Sequence, residues 1–384
     1  MSLRFALAAA AAAASGQLPP QQPDEFAAAQ RLYRANKLRE ALPLFVAVAR
    51  REPARAEAHA WLAETARRLG EFDRAAAAAR TALRLVPCHA FAHTVLGEVY
   101  RPQWSDWTQV NADSAWAHLQ QAAACDPSDG NPWTGIWGEA LRRGDTAMEA
   151  HALARLVATH FLNSAVLAYG RWFLRDLPRN AVLVTAGDLD TWGVLAAQTV
   201  DGFRRDVAVV NTWLLNILWY RQRVRERYAL PLPAAAPRAT VASEAVRAYW
   251  RASSLSGTLG RPLAATLPQP SGPGRFAFAG AYWLLSAPED SLADPAVIAR
   301  AFEGLRGPAF ALPVVSAQDR SPLRARSWVP QMIVVAAFHY GAILRRLRRL
   351  PDAGRAEAWA QDFGGAAGLP PDSIALLRQF ALQE

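Results

Sequence analysis

The sequence predicts a mainly helical protein: an N-terminal array of helical hairpins, then a small strand–helix–strand α/β domain, then a closing helical hairpin. Three observations carry this reading. Pro53 and Pro87 lie 34 residues apart, each closing an Ala-rich amphipathic helix. After Arg175 the texture changes to short apolar runs of β-forming residues bounded by turn formers. Beyond Trp328 helical spacing returns. The implied boundaries are 25–176 for the hairpins, 177–327 for the α/β domain and 328–384 for the closing hairpin.

The first residues carry one arginine, an apolar run from Phe5 to Ala14, small residues and then a Pro/Gln stretch. That is the layout of a secretory signal peptide over 1–16, with a linker at 17–24. The expected location is periplasmic or secreted. No later stretch reaches the ~18 apolar residues of a spanning helix; Met332 to Leu344 is interrupted by His339 and Tyr340. Apolar residues at 52% and charged residues at 20% describe a folded chain. The net charge of +9 is almost all arginine, since Lys37 is the sole lysine, and the arginines are scattered. A nucleic-acid surface is therefore not expected.

In the hairpin array, Leu62, Ala63 and Ala66 share one helix face. After a turn at Gly70, Phe72, Ala75, Ala79 and Ala82 share the next. The preceding unit repeats this with Leu32, Asn36, Leu38, Ala41, Phe45 and Val48. Small alanines let paired helices approach, and the larger residues fill the seam. A third unit runs from Pro87 to Pro127, lengthened by six residues around PQWSDWTQVN, and a fourth from Trp133 through Gly144 to about Phe161. This spacing resembles the tetratricopeptide repeat, whose stacked units form binding surfaces. His89 and His93 lie one turn apart, but HAFAH lacks the glutamate of a zinc-protease helix, so no metal is assigned. Cys88 precedes the first helix of the third unit and Cys125 ends its second. In an antiparallel hairpin those ends come together, making a disulfide one outcome and two packed thiols the other.

In the α/β segment, VLVTA reads as a strand, Trp192 to Val200 as a helix, and DVAVVN as a second strand. That order implies a parallel pair with a right-handed crossover, a Rossmann-like unit. LLNILWYRQRVRERY reads as the next helix and Ser243 to Leu255 as another. PLAATL and FAFAGAYWLLS read as strands and Ser291 to Leu305 as a helix, before a hairpin from Trp328 to Leu350 and Gly354 to Phe363. Gly187 and Asp188 fall at the carboxyl end of the first strand and Asn211 at that of the second, the edge where open α/β sheets bind ligands.

Gly187, Asp188, Asp190 and Thr191 form a Gly-Asp-x-Asp-Thr turn. It is followed by Arg205, Asp206 and Val207 at the second strand, Asn211, Leu214-Leu215-Asn216 and Trp219-Tyr220. With these features, 178–220 resembles the soluble tail of a family of membrane proteins related to protein O-mannosyltransferases, and the likeness runs more loosely through Arg261-Pro262-Leu263-Ala264 and past Trp328. The membrane region that carries transferase chemistry in those relatives is not in this sequence. The resemblance thus implies an exported, envelope-associated accessory module rather than mannosyl transfer.

Two roles compete for the turn. Asp190 or Thr191 caps the helix while Asp188 steadies the turn, or Gly187, Asp188, Asp190, Thr191 and Asn211 hold a ligand such as a polyol or a cation. Two carboxylates are few for a tight cation site, and no Gly-rich loop or lysine cradles phosphate. No Ser-His-Asp, Cys-His or P-loop constellation stands out, so no catalytic residue and no cofactor is assigned. The leading expectation is a non-enzymatic scaffold binding a protein partner in the cell envelope through its repeats. The alternative is a glycan- or nucleotide-sugar-binding module centred on the 187–191 turn. Protein isolated from cells is expected to begin near Ser15 to Gln17 by N-terminal mass spectrometry; an intact Met1 in cytoplasmic protein would remove the export expectation.

Overall fold

A computed structural model describes residues 24–102, 107–233, 242–267, 274–286, 295–307 and 323–382. The signal peptide expected over 1–16 and all but the last residue of the 17–24 linker lie outside the described residues.

Helices α1 (Glu25–Arg34), α2 (Leu38–Arg51), α3 (Ala56–Arg68), α4 (Phe72–Leu85), α5 (Ala90–Tyr100), α6 (Ala112–Cys125), α7 (Asn131–Arg143) and α8 (Thr146–Ala158) follow one another, each packed on the next. Buried alanines let them approach: Ala63 and Ala66 on α3, Ala75 and Ala79 on α4 and Ala82 at its end are all fully buried. Polar side chains at the starts satisfy first-turn N–H groups, as Asp24 does for Ala27 and Asn111 for Asp113 and Ser114. Gly144 closes α7 in the left-handed region, at φ 74°. Cys88 and Cys125 are joined by a disulfide across 5.3 Å between their Cα atoms.

α9 (Ser164–Arg175) leads into the sheet, and its contact with α10 (Asp188–Val200) is backbone against backbone. A Cβ on Gly170 would lie 2.2 Å from the Gly193 carbonyl oxygen, and one on Gly193 3.0 Å from the Val166 carbonyl oxygen. Glycine at both positions is what brings α9 onto α10.

The sheet has the order β2-β1-β3-β5-β4. β1 (Val182–Thr185) pairs in parallel with β2 (Ala208–Asn211) on one side and β3 (Leu263–Ala265) on the other. β5 (Trp283–Ser286) adds antiparallel to β3, and β4 (Arg275–Phe278) pairs antiparallel with β5 at the sheet's edge. The parallel strands are buried throughout, consistent with their Val, Leu and Ala runs. FAFAGAYWLLS, expected as one strand, is a hairpin: Ala279 N–H donates to the Tyr282 carbonyl and Gly280 takes φ 95° at the turn. The helix expected from Leu214 onward starts as a 3-10 turn at Leu214–Asn216, and α11 (Leu218–Tyr228) follows it. α12 (Ala242–Leu255) and α13 (Pro295–Leu305) precede a closing unit of three helices rather than two: α14 (Leu323–Arg346), α15 (Leu350–Ala366) and α16 (Pro371–Leu382). Among the described residues no helix is long and apolar enough to cross a membrane.

At the amino edge of the sheet, Arg204 donates to the carbonyls of Leu174, Leu177 and Pro178 and to both oxygens of Asp206. Those bonds from Arg204 hold the Asp206 carboxyl well below the usual range. The arginine matched to the resemblance, Arg205, is exposed and reaches only the Gln198 carbonyl; its neighbour holds the strand entry. Arg261, two residues before β3, ties the Asn180 and Asp206 carbonyls.

Inside α5–α6, His93 Nε2 faces the Pro87 carbonyl at 3.0 Å, so that nitrogen carries the proton and Nδ1 accepts from His118 Nδ1–H at 3.0 Å. Tyr100 stacks on His118 and receives Arg80 on its hydroxyl. Burial, then His93 and Arg80, hold His118 down at about 4, and burial, then Arg346, does the same for His339. Between the unfolded value near 6.5 and about 4, the unfolded chain binds protons that the folded chain refuses. Stability is therefore full above that window and falls as pH drops through it. Melting temperature should decline from pH 7 to 4.5, with a shallower slope in His118→Asn; equal slopes would remove this histidine from the account.

Candidate functional site

Chain order places the site. β1 feeds β2 on one side, and the chain later returns to lay β3 on the other. The carboxyl end of β1 is thus a switch point, where neighbouring connections diverge and leave a crevice. The Gly187–Thr191 turn stands at that point.

The two aspartates have separate jobs. α10 starts at Asp188 with Gly187 as its N-cap, so Asp190 sits in the first turn and points back under it. Its carboxylate accepts from the N–H groups of Ala186 at 2.8 Å, Gly187 at 2.7 Å and Thr191 at 3.1 Å, and from the Thr266 hydroxyl at 2.6 Å. Thr266 follows β3, so this one side chain ties the ends of β1 and β3 to the start of α10. Burial pushes its carboxyl up from the ordinary range, against the pull of Thr266 and the three N–H donors. Gly187 holds the N-cap position, and Asp190 caps the helix from its third residue by accepting from the Gly187 N–H. Asp188, two residues earlier, is exposed and lines the cleft.

Thr191 and Asn211 complete the frame. The Thr191 hydroxyl donates to the Gly187 carbonyl and accepts from Asn211 Nδ2 at 2.9 Å. Asn211 Oδ1 accepts from the N–H groups of Trp213 and Leu214 at 2.9 and 3.1 Å, and its own N–H donates to Tyr220 Oη. The turn after β2 is thereby pinned, leaving Trp213 68% exposed at the cleft mouth. Of the five residues singled out from sequence, Asp188, Thr191 and Asn211 line one cleft, while Gly187 and Asp190 lie behind it.

The cleft has a volume of about 480 Å³, within the roughly 300–1,000 Å³ of small-ligand sites. One wall is the sheet edge with Trp192, Trp213 and Trp219; the other is the helix array with Trp137, Arg67, Glu98 and Arg101. The array residues were not anticipated, yet they carry a sequence signal. Glu64-x-x-Arg67, Glu98-x-x-Arg101 and Glu139-x-x-Arg142 recur at matched places in α3, α5 and α7, 34 and then 41 residues apart. Each pair is an i, i+3 ion pair, at 2.7, 3.0 and 2.8 Å. Glu139, fully buried, also faces Arg101 at 3.6 Å, and Glu64 accepts from Tyr33 Oη at 2.8 Å. Burial pulls Arg67 down, but Glu64 and then Glu98 more than offset it, leaving it more firmly protonated than a free arginine. Gly138 makes the room: a Cβ there would lie 2.3 Å from Arg101 Nη2.

Among the described residues no group of three or more His, Cys, Asp or Glu is gathered for a metal. His89 caps α5 and faces Glu57.

Residues 166–249 match the family described as TMEM260-associated domain 2. The match relates this segment to the O-mannosyltransferase-related TMEM260 family, and it spans α9 to the first half of α12. The whole Asp190 frame except Thr266 falls inside it, and the Glu–Arg wall falls outside. No curated protein matches the chain.

Removing Asp190 leaves four donors facing a void. Asp190→Ala is expected to cost about 2–4 kcal/mol in urea unfolding, whereas Asp188→Ala should cost below about 1 kcal/mol. Equal costs would reject the division of labour.

Proposed function

We propose that the protein is an exported binding module whose cleft takes a carbohydrate, either a glycan or the sugar of a nucleotide-sugar. In this reading the N-terminal helices are a tetratricopeptide-type solenoid and the sheet a Rossmann-like unit, and the ligand lies between them. The observation that carries it is the meeting of four tryptophans from both walls with Asp188, Asn211 and the Glu98–Arg101 pair around one crevice. A hexose has an apolar C–H face and a rim of hydroxyls. Indole faces suit the first, and a carboxylate with a guanidinium suits the second. Trp213 is the clearest platform, because an indole this exposed is otherwise left in water. The relation of 166–249 to an O-mannosyltransferase-related family agrees with a sugar in this neighbourhood.

A protein partner in the cell envelope is the second reading, favoured by the recurrence of Glu-x-x-Arg over three successive hairpins. A repeating polar face suits an extended polypeptide. The two readings separate by ligand.

Screening against a glycan array, followed by tryptophan fluorescence titration, should yield a saturable sugar ligand. Trp213→Ala and Asp188→Ala should each weaken it at least tenfold while melting within a few degrees of wild type. Absence of any sugar ligand, with a protein captured through the α3–α5–α7 face and lost in Arg67→Ala, would favour the partner reading instead.

A further inference from the structure

Resting on the carbohydrate reading, we infer that the cleft selects an uncharged sugar over a phosphorylated or nucleotide-linked one, and that the Glu-x-x-Arg ladder sets this preference. Arg67 and Arg101 are the cationic side chains on the cleft lining among the described residues. A diphosphate brings about two negative charges and needs unspent cations or helix N–H groups to meet them. The charge of each arginine is already paired with carboxylates, although the buried Nε of Arg101 meets Glu139 only as an ion pair at 3.6 Å and without a hydrogen bond. Arg67 gives Nε and Nη2 to Glu64 at 2.7 and 2.9 Å, and Arg101 gives Nη1 to both Glu98 oxygens at 3.0 Å. Glu139 lies against Arg101 from behind and takes Arg142 as well.

The opposite wall adds no positive charge. It supplies Asp188, and the Asp190 carboxylate, bonded to the N–H groups of Ala186, Gly187 and Thr191, already sets a negative charge at the α10 amino terminus, where it opposes a phosphate. Formal charges on the lining sum to zero from Arg67, Arg101, Glu98 and Asp188, and the carboxylates of Glu64 and Glu139 stand directly behind the arginines. An anion entering here displaces carboxylates from their guanidinium partners and meets Asp188 across the cleft. An uncharged sugar hydrogen-bonds to both kinds of group without displacing either. Arg101 is the discriminating side chain, and Gly138 is the positioning residue that lets it lie against α7.

The test compares one sugar in three forms. The best neutral binder from the array is titrated by calorimetry beside its 6-phosphate and its nucleoside-diphosphate derivative. Wild type is expected to prefer the neutral form at least tenfold, with an affinity that hardly changes between 50 and 500 mM NaCl. Glu98→Gln frees Arg101 from one carboxylate while Glu139 still holds it, and should narrow the preference at least fivefold by strengthening the anionic forms, now salt-sensitively. Glu64→Gln should do the same through Arg67 and serves where Glu98→Gln melts early. Equal or tighter wild-type binding of either anionic form would overturn the inference and leave carbohydrate binding standing. A preference untouched in both variants would overturn the role of the ladder. Failure of all three forms to bind any of the proteins would remove the carbohydrate reading itself.

Discussion

The buried carboxylate of Asp190 is the constraint on which the site depends. A carboxylate taken out of water costs several kcal/mol unless donors replace the lost hydration. Here the donors are the N–H groups of Ala186, Gly187 and Thr191 and the Thr266 hydroxyl, drawn from the end of β1, the start of α10 and the end of β3. Satisfying that one group therefore requires two strand ends and a helix start to be in one place. Once they are, Thr191 falls within reach of Asn211, and the end of β2 joins the same frame. Asp188 is left on the open side, because two residues along a helix turn the side chain through about 200°. The pair of aspartates that looks symmetrical in sequence is split by geometry into a buried foundation and an exposed side chain on the cleft.

A second constraint sets the opposite wall at its distance. Backbone contact between Gly170 and Gly193 brings α9 onto α10, and α10 also packs on α8, so the sheet edge is referenced to the last hairpin. Arg227 reaches Glu149 and Arg223 the carbonyl of Arg142, holding α11 to the same hairpin. The cleft walls thus come from distant parts of the chain yet share few adjustable joints. The ladder works similarly within the array. Fully buried Glu139 lies between Arg101 and Arg142, so a charge that burial alone would forbid becomes the link between α5 and α7.

Much of this was legible in the sequence, and the limits are physical. The 34-residue spacing and alanine faces locate the hairpins because each hairpin must bury the same stripe against its neighbour. The strand–turn–helix at 182–200 is equally plain, and it puts the right residues at the strand ends. Which aspartate faces inward was not legible, since moving the helix start from Trp192 to Asp188 rotates every side chain in the turn. Gly280 inside FAFAGAYWLLS was the available mark of a hairpin; with apolar residues on both sides of it, the run reads as one strand. The third closing helix follows Gly368, at φ 75°, and Pro370-Pro371, a stop and a start that the hairpin reading passed over. The convergence of four tryptophans is tertiary and has no local signature, whereas the Glu-x-x-Arg recurrence was present and is found by laying the repeats over one another.

The six added residues of the third hairpin fall just after Arg101, which makes the position of this side chain the hardest thing in the wall to keep. Lengthening a loop costs little entropy but frees its ends. The structure takes that freedom back at several points. Asn111 N–H returns to the Tyr100 carbonyl at 2.9 Å, so the segment leaves and re-enters the array at one place. Trp107 is buried, donates to Asp73 on α4 at 2.8 Å and packs on Tyr100, which in turn stacks on His118 of α6. At the far ends of the same two helices the Cys88–Cys125 disulfide closes the hairpin; in the chain-entropy account a closure of this length contributes roughly 3–4 kcal/mol. α5 is thereby fixed at both ends and along its length. With the helix held, Glu98, Glu139 and the space left by Gly138 set Arg101 against the wall of the cleft.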